Sequence, residues 1–351
     1  MGGRAPPSPG PRRRRGPRLD PEALGADLRD FLVLLEAALL DLAGGEGAPP
    51  GFDPRVFLAP GLPRVRPLLV VLSARAAVAA SEAGQIGHAQ TQQVAVAAEL
   101  LHVAIRLHDA ALGRRGGRRR RAARRLIGGA VGLLGGNYLT LRAMELVRHG
   151  PTPELLGDLL DALREIGEGH GTAQRVRERD ASPAEVLALA ESHTGAVFSF
   201  ACRAGARLSG ADRSAILALG RYGRHTGVAW HLAEDIAFLD VNAGEDPATI
   251  EERAMEGRPS FVVSLAAARD PAVGQLWRLL GHDPQPEQAL DLAQRLRAAG
   301  AFAEGRARVA QESWAAQQAL AILEPSAPRD ALRAIAAGLA RGGKAGDQGQ
   351  L

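Results

Sequence analysis

From Asp20 almost to the C-terminus, apolar residues recur every three or four positions, and no stretch alternates apolar with polar residues at the period of a strand. A chain patterned this way buries its apolar stripes by packing helix on helix, which restricts it to all-α architectures. The first segment opens at Asp20-Pro21, a capping carboxylate followed by a proline at the first helical position, and carries Leu24, Leu28, Phe31, Leu32, Leu35 and Leu39 on one face. Ser182-Pro183-Ala184-Glu185 has the form of a capping box and starts a helix through Val186, Leu189, Val197 and Cys202. The same periodicity predicts helices over about 64–82, 90–112, 122–149, 152–170, 212–241, 272–281, 285–322 with a break near Gly300, and 327–341. Segments 90–112 and 212–241 are long enough to line a central cavity.

At 351 residues and 46% apolar content the chain can bury one substantial core. The expected organisation is a single helical domain over 20–341, preceded by an Arg- and Pro-rich arm at 1–19 expected to be disordered and followed by a flexible tail at 342–351. No apolar run reaches the roughly 20 residues of a transmembrane segment, and the N-terminus lacks the apolar stretch of a signal peptide, so a cytoplasmic protein is expected. The single cysteine, Cys202, excludes an internal disulfide and a cysteine-based zinc site, and reads as a small core residue.

The formal charge of +4 conceals an uneven distribution. Six arginines fall in 1–19 and eight in 113–125; without these fourteen, 29 basic residues face 39 acidic ones, and the body carries −10. Aromatic residues make up only 4%, so stacking platforms for nucleic acid are scarce and that partner class ranks low. Lys344 is the only lysine, which leaves arginine to supply any cation a site needs.

Charged motifs are set into this frame at regular intervals. They are Gly61-Leu62-Pro63-Arg64-Val65-Arg66-Pro67, Glu99-Leu100-Leu101-His102 running on to His108-Asp109-Ala110-Ala111-Leu112-Gly113, Gly136-Asn137-Tyr138, Glu168-Gly169-His170, His193-Thr194-Gly195, His231-Leu232-Ala233-Glu234-Asp235-Ile236-Ala237-Phe238 and Gly257-Arg258-Pro259-Ser260. Seven residues, two helical turns, separate His102 from Asp109, so both side chains point from one face into one space. In order and spacing, over roughly residues 55–270, the set resembles the trans-isoprenyl diphosphate synthases.

That resemblance implies a helical bundle of the isoprenoid synthase type with a central cavity. It assigns Arg66, His102, Thr194 and Arg258 to substrate diphosphate, a task suited to the planar guanidinium fork. It assigns Asp109, Glu234 and Asp235 to magnesium (Mg2+), the remnants of two Asp-Asp-x-x-Asp clusters. Most charged members of the pattern are missing. Pro63 stands for a lysine, Ala110 and Gly113 for two carboxylates of the first cluster, Phe238 for the third carboxylate of the second, Asn137 and Ala173 for aspartates, and His193 for a lysine. Arg106 adds a cation one turn before Ala110. Magnesium requires near-octahedral oxygen coordination. Two lost ligands at ~3 kcal/mol each remove on the order of 10⁴–10⁶ in rate.

Two functions stay open. In the first, the chain is a catalytically impaired protein of isoprenoid biosynthesis, kept as a structural or regulatory subunit, in a homodimer or in a heterodimer with an active isoprenyl diphosphate synthase, and prenyl diphosphates bind where the cavity is open. In the second, it is an atypical magnesium-dependent prenyltransferase or terpene-forming enzyme that works through Glu234 and Asp235. In that case Ala104, five residues before Asp109, resembles the small residue of longer-chain members. The arginines of 113–125 read as a solvated loop or as diphosphate ligands.

Overall fold

The structure, a computed structural model, describes residues 26–43, 47–58, 64–78, 87–112, 129–150, 152–176, 180–241 and 247–341. The expectations for the arm at 1–19, Asp20-Pro21, Pro63, the arginines of 113–125 and the tail at 342–351 lie outside these residues.

Among the described residues every regular element is helical. Helix α1 (Ala26–Ala43) precedes a 3₁₀ turn at Pro54–Val56, α2 (Val65–Ala76), α3 (His88–Leu112), α4 (Ala130–Arg148) and α5 (Glu154–Val176). Then come α6 (Pro183–Ala190), a π turn at Glu191–Gly195, α7 (Ala196–Leu208) and α8 (Arg213–Leu239). Short helices α9 (Ala248–Met255), α10 (Phe261–Ala267), α11 (Pro271–His282) and α12 (Pro286–Ala298) lead to α13 (Ala301–Ala319) and α14 (Ala327–Ala340).

Helix α2 is apolar nearly all round and accordingly lies at the centre, with every residue except Arg75 buried. It packs on α3 and α7; α4 covers α3, α8 packs on α7, α13 packs on α8, and α14 packs on α13 and α2. Cys202 on α7 is fully buried, and burial pushes its thiol up to about 12, so it is a core residue as expected. The Ser182 capping box forms with both of its hydrogen bonds. The break near Gly300 is real: that residue adopts φ +70°, a left-handed conformation that only glycine takes at low cost.

Two elements differ from the periodicity. Helix α5 runs to Val176, past Gly167, Gly169 and Gly171, because Ala173 and Val176 are buried against Leu189 of α6 and packing overrides propensity. The segment expected as one helix from Ser182 contains the π turn, which widens the backbone at His193 and Thr194. At this point α8 approaches closely. A Cβ on Gly227 would lie 2.7 Å from the Thr194 carbonyl oxygen and 2.8 Å from Gly195 Cα, so only glycine permits the approach.

Candidate functional site

Helices α2, α3, α5 to α8 and the turn before α10 enclose a cavity of about 680 Å³, counted with its open mouth. Arg66, His102, Asp109, His193, Thr194 and Arg258 line it. The stretch of α3 from His102 to Asp109 thus contributes one wall, with both residues on it as their two-turn spacing requires. The structure therefore brings together Arg66, His102, Asp109, Thr194 and Arg258, whereas Glu234 and Asp235 do not line this space.

Asp109 is buried, and each of its oxygens faces a basic side chain. Arg258 Nη2 lies 3.0 Å from Oδ2, and His170 Nε2 lies 3.2 Å from Oδ1. Burial works to raise the Asp109 carboxyl, but Arg258, His170 and His193 outweigh it and hold the group well below the ordinary carboxylate range. Around it the rings of His170 and His193 lie 4.7 Å apart, and those of His108 and His170 6.1 Å apart. His108 Nε2 contacts the Asn137 side-chain oxygen at 3.1 Å, so the amide that replaces an expected aspartate has a partner on α3.

The opposite wall is cationic. Arg66 is buried, with Nη1 3.3 Å from Glu99 Oε2 and its guanidinium carbon 5.5 Å from the centre of the Phe198 ring. Arg64 shares the same carboxylate, donating from Nη1 to Glu99 Oε1 at 3.1 Å. Burial, reinforced by Arg66, Arg106, Arg258 and Arg64, pushes His102 well below its ordinary value, so it is neutral. Burial, together with Arg253, Arg258 and His193, lowers His231 to about 3, and His193 falls to about 4 chiefly through burial. Thr194 Oγ1 and His231 Nδ1 are 3.1 Å apart across the close contact at Gly227.

The second acidic stretch serves a different purpose. Asp235 is buried and accepts hydrogen bonds at Oδ2 from Ser260 Oγ (2.7 Å) and the Phe261 backbone N–H (2.9 Å). Arg253 Nε and Nη2 donate to Oδ1, each at 3.4 Å. Ser260 in turn caps α10 by accepting from the Val263 N–H. Burial pushes the Asp235 carboxyl up, and these donors together with the buried Arg253 oppose it. Phe238, which occupies the place of a third carboxylate, lies 5.8 Å from the Arg253 guanidinium carbon. Arg253 also donates to Glu256 at 3.0 Å, and Arg258 Nε lies 4.0 Å from that carboxylate. The result is a continuous row of alternating charge, Asp235, Arg253, Glu256, Arg258 and Asp109, joining α8 to α3.

This row was not legible in the sequence: Arg253 lies in a short helix and Glu256 just after it, both outside every motif. His170 was visible within the Glu168-Gly169-His170 motif and His193 as a departure from the pattern, but nothing in the sequence indicated that they would meet at Asp109. Magnesium does not fit the arrangement. Among the described residues no group of three or more His, Cys, Asp or Glu can hold a metal ion, and the two surviving aspartates already spend their oxygens on protein donors.

Residues 56–296 match the sequence pattern of a family described as Polyprenyl synthetase. The octaprenyl diphosphate synthase of Haemophilus influenzae is 28% identical over 202 residues, 56% of this chain and 59% of that protein. That of Escherichia coli is 27% identical over 279 residues, 78% of this chain and 84% of that protein. The solved polyprenyl synthase from Caulobacter crescentus superposes with a TM-score of 0.74 at 26% identity, covering 94% of this chain and 99% of its own. With the family pattern extending over more than half of its length and the fold reproduced across the bundle, this chain belongs to the polyprenyl synthetase family.

Proposed function

We propose that this protein is a catalytically impaired polyprenyl synthetase homologue of isoprenoid biosynthesis that acts as a structural or regulatory subunit of an active isoprenyl diphosphate synthase. The observation that supports this is the commitment of two of its three remaining carboxylates. Asp109 is held by Arg258 and His170, and Asp235 by Arg253, Ser260 and the Phe261 amide. The Caulobacter crescentus homologue was solved with calcium and isoprenyl diphosphate. In this chain Asp109 and Asp235 bind the protein to itself. A subunit with such a core contributes by packing, in a homodimer or beside an intact partner.

The test is product formation from labelled isopentenyl diphosphate and geranyl, farnesyl or geranylgeranyl diphosphate with magnesium, for the purified chain alone and mixed with an intact synthase of the same organism. The expected result is no turnover alone and a changed rate or product length in the mixture. Magnesium-dependent turnover by the chain alone, lost in Glu234→Gln, would establish the atypical enzyme and overturn this proposal.

A further inference from the structure

A second cavity, of about 590 Å³ counted with its open mouth, lies across the Gly257-Arg258-Pro259 turn from the central one, and these three residues line both. We propose that it is a separate binding site for a small aromatic acid, a flat apolar ring system carrying one carboxylate. The site stands outside the central cavity and does not depend on whether the chain turns over prenyl diphosphates. Its size falls within the range of about 300–1,000 Å³ usual for small-molecule sites.

Helix α11 builds one wall. Gly274, Trp277, Arg278 and Gly281 recur at three- and four-residue spacing and so share one face of it. The two glycines let neighbouring segments come close at either end of that face. A Cβ on Gly274 would collide with the Asp180 carboxylate, and one on Gly281 would lie 3.2 Å from the Ala254 carbonyl oxygen. Between them Trp277 and Arg278 line the cavity, and Trp277, half-buried, packs against the core. Val263 and Ala267 of α10 add apolar surface.

The charged side chains select the ligand. Among the described lining residues two guanidiniums, Arg258 and Arg278, face one carboxylate, Asp180, a formal charge of +1. Arg278 pairs with Asp180, and Arg258 commits Nη2 to Asp109 at 3.0 Å on the inner side of the turn. A ligand with a single carboxylate neutralises the excess, and a guanidinium fork takes that group through paired charge-assisted hydrogen bonds. The indole of Trp277 and the guanidinium planes beside it both offer flat faces on which an aromatic ring stacks, whereas an alkyl chain gains only its burial.

The experiment is a titration of the isotope-labelled full chain with naphthoate, followed by nuclear magnetic resonance through the indole N–H signals of Trp230, Trp277 and Trp314, with Trp277 assigned by its absence in Trp277→Phe. A saturable shift of the Trp277 signal alone is the expected result. Octanoate, which keeps the carboxylate without the ring, and naphthylmethanol, which keeps the ring without the charge, should each bind about 10-fold more weakly. Asp180→Asn raises the formal lining charge from +1 to +2 and releases Arg278, so naphthoate should bind more tightly; Arg278→Met lowers it to 0 and should weaken binding by about 10-fold. Both of these side chains are partly exposed, so neither change threatens the fold. No saturable shift of Trp277, a shift of Trp230 in its place, octanoate bound as tightly as naphthoate, or an affinity unchanged in both Asp180→Asn and Arg278→Met overturns the inference.

Discussion

Glu234 and Asp235 are neighbours in sequence, and replacing each with alanine should have very different effects. The Asp235 side chain is 1% exposed and the Arg253 side chain 4% exposed, so the variant leaves a guanidinium in the core without its main counter-ion. Removing one partner of a buried ion pair costs about 3–5 kcal/mol. Glu256, 3.0 Å from Arg253 Nη1, keeps part of the compensation, while the Phe261 N–H loses its acceptor, so the estimate stays at about 3–4 kcal/mol. Glu234 is only half-buried, and its replacement should cost less than about 1 kcal/mol. In urea unfolding followed by circular dichroism, with a slope near 3 kcal/mol per molar, Asp235→Ala should lower the midpoint by roughly 1 M and Glu234→Ala by less than about 0.3 M. Asp235→Asn should fall between, since an amide oxygen can still accept from Phe261 and Ser260 but cannot neutralise Arg253. If Asp235→Ala and Glu234→Ala unfold at the same urea concentration, the Asp235 carboxylate is not a structural group and the account of the second acidic stretch fails.

Acid should weaken the fold through its neutral histidines. His193 and His231 are lowered to about 4 and about 3, below the ~6.5 of the unfolded chain. Stability is then full above pH 6.5 and is lost as pH falls from 6.5 toward 4, by at most ~1.4 kcal/mol per pH unit for each group. Asp109, held below the ordinary range, adds stability that is lost only beneath about pH 3.8 and cannot produce this effect. Urea midpoints at pH 7.5, 6 and 5 measure the loss; a flat profile would refute it, and His193→Gln should reduce the slope. Gly227→Ala should cost about 1–3 kcal/mol and separate Thr194 from His231, because the added methyl meets the Thr194 carbonyl at 2.7 Å. Unfolding of Gly227→Ala at the wild-type midpoint would show that the close approach is not required.

The fold was legible because its signal is local. The apolar period marked α3 and α8 almost to their ends, the Ser182 box marked α6, and Gly300 marked the break before α13. The cavity lining was legible in part for the same reason: Arg66, His102, Asp109, Thr194 and Arg258 sit on elements whose order fixes where they meet. What the sequence concealed is the pairing. Asp109 and Arg258 are 149 positions apart, and Asp235 and Arg253 belong to different helices, so no periodicity links them. The π turn was equally hidden, since its residues continue the helical pattern and only the backbone register changes.

The alternating row from Asp235 to Asp109 explains how the bundle can lose expected metal ligands without losing its shape. Carboxylates gathered on facing helices repel one another, by about 4 kcal/mol for a pair at 4 Å in surroundings of intermediate polarity, unless a cation stands between them. Here the intervening cations belong to the chain. Arg253 lies between Asp235 and Glu256, and Arg258 between Glu256 and Asp109. Three carboxylates and two guanidiniums leave the row nearly neutral, and each ion pair ties one element to the next. A site that depends on bound ions for its cohesion is held open to solvent for their entry. A site cross-linked by its own arginines needs no bound ion to hold its helices together, because each ion pair along the row is internal to the chain.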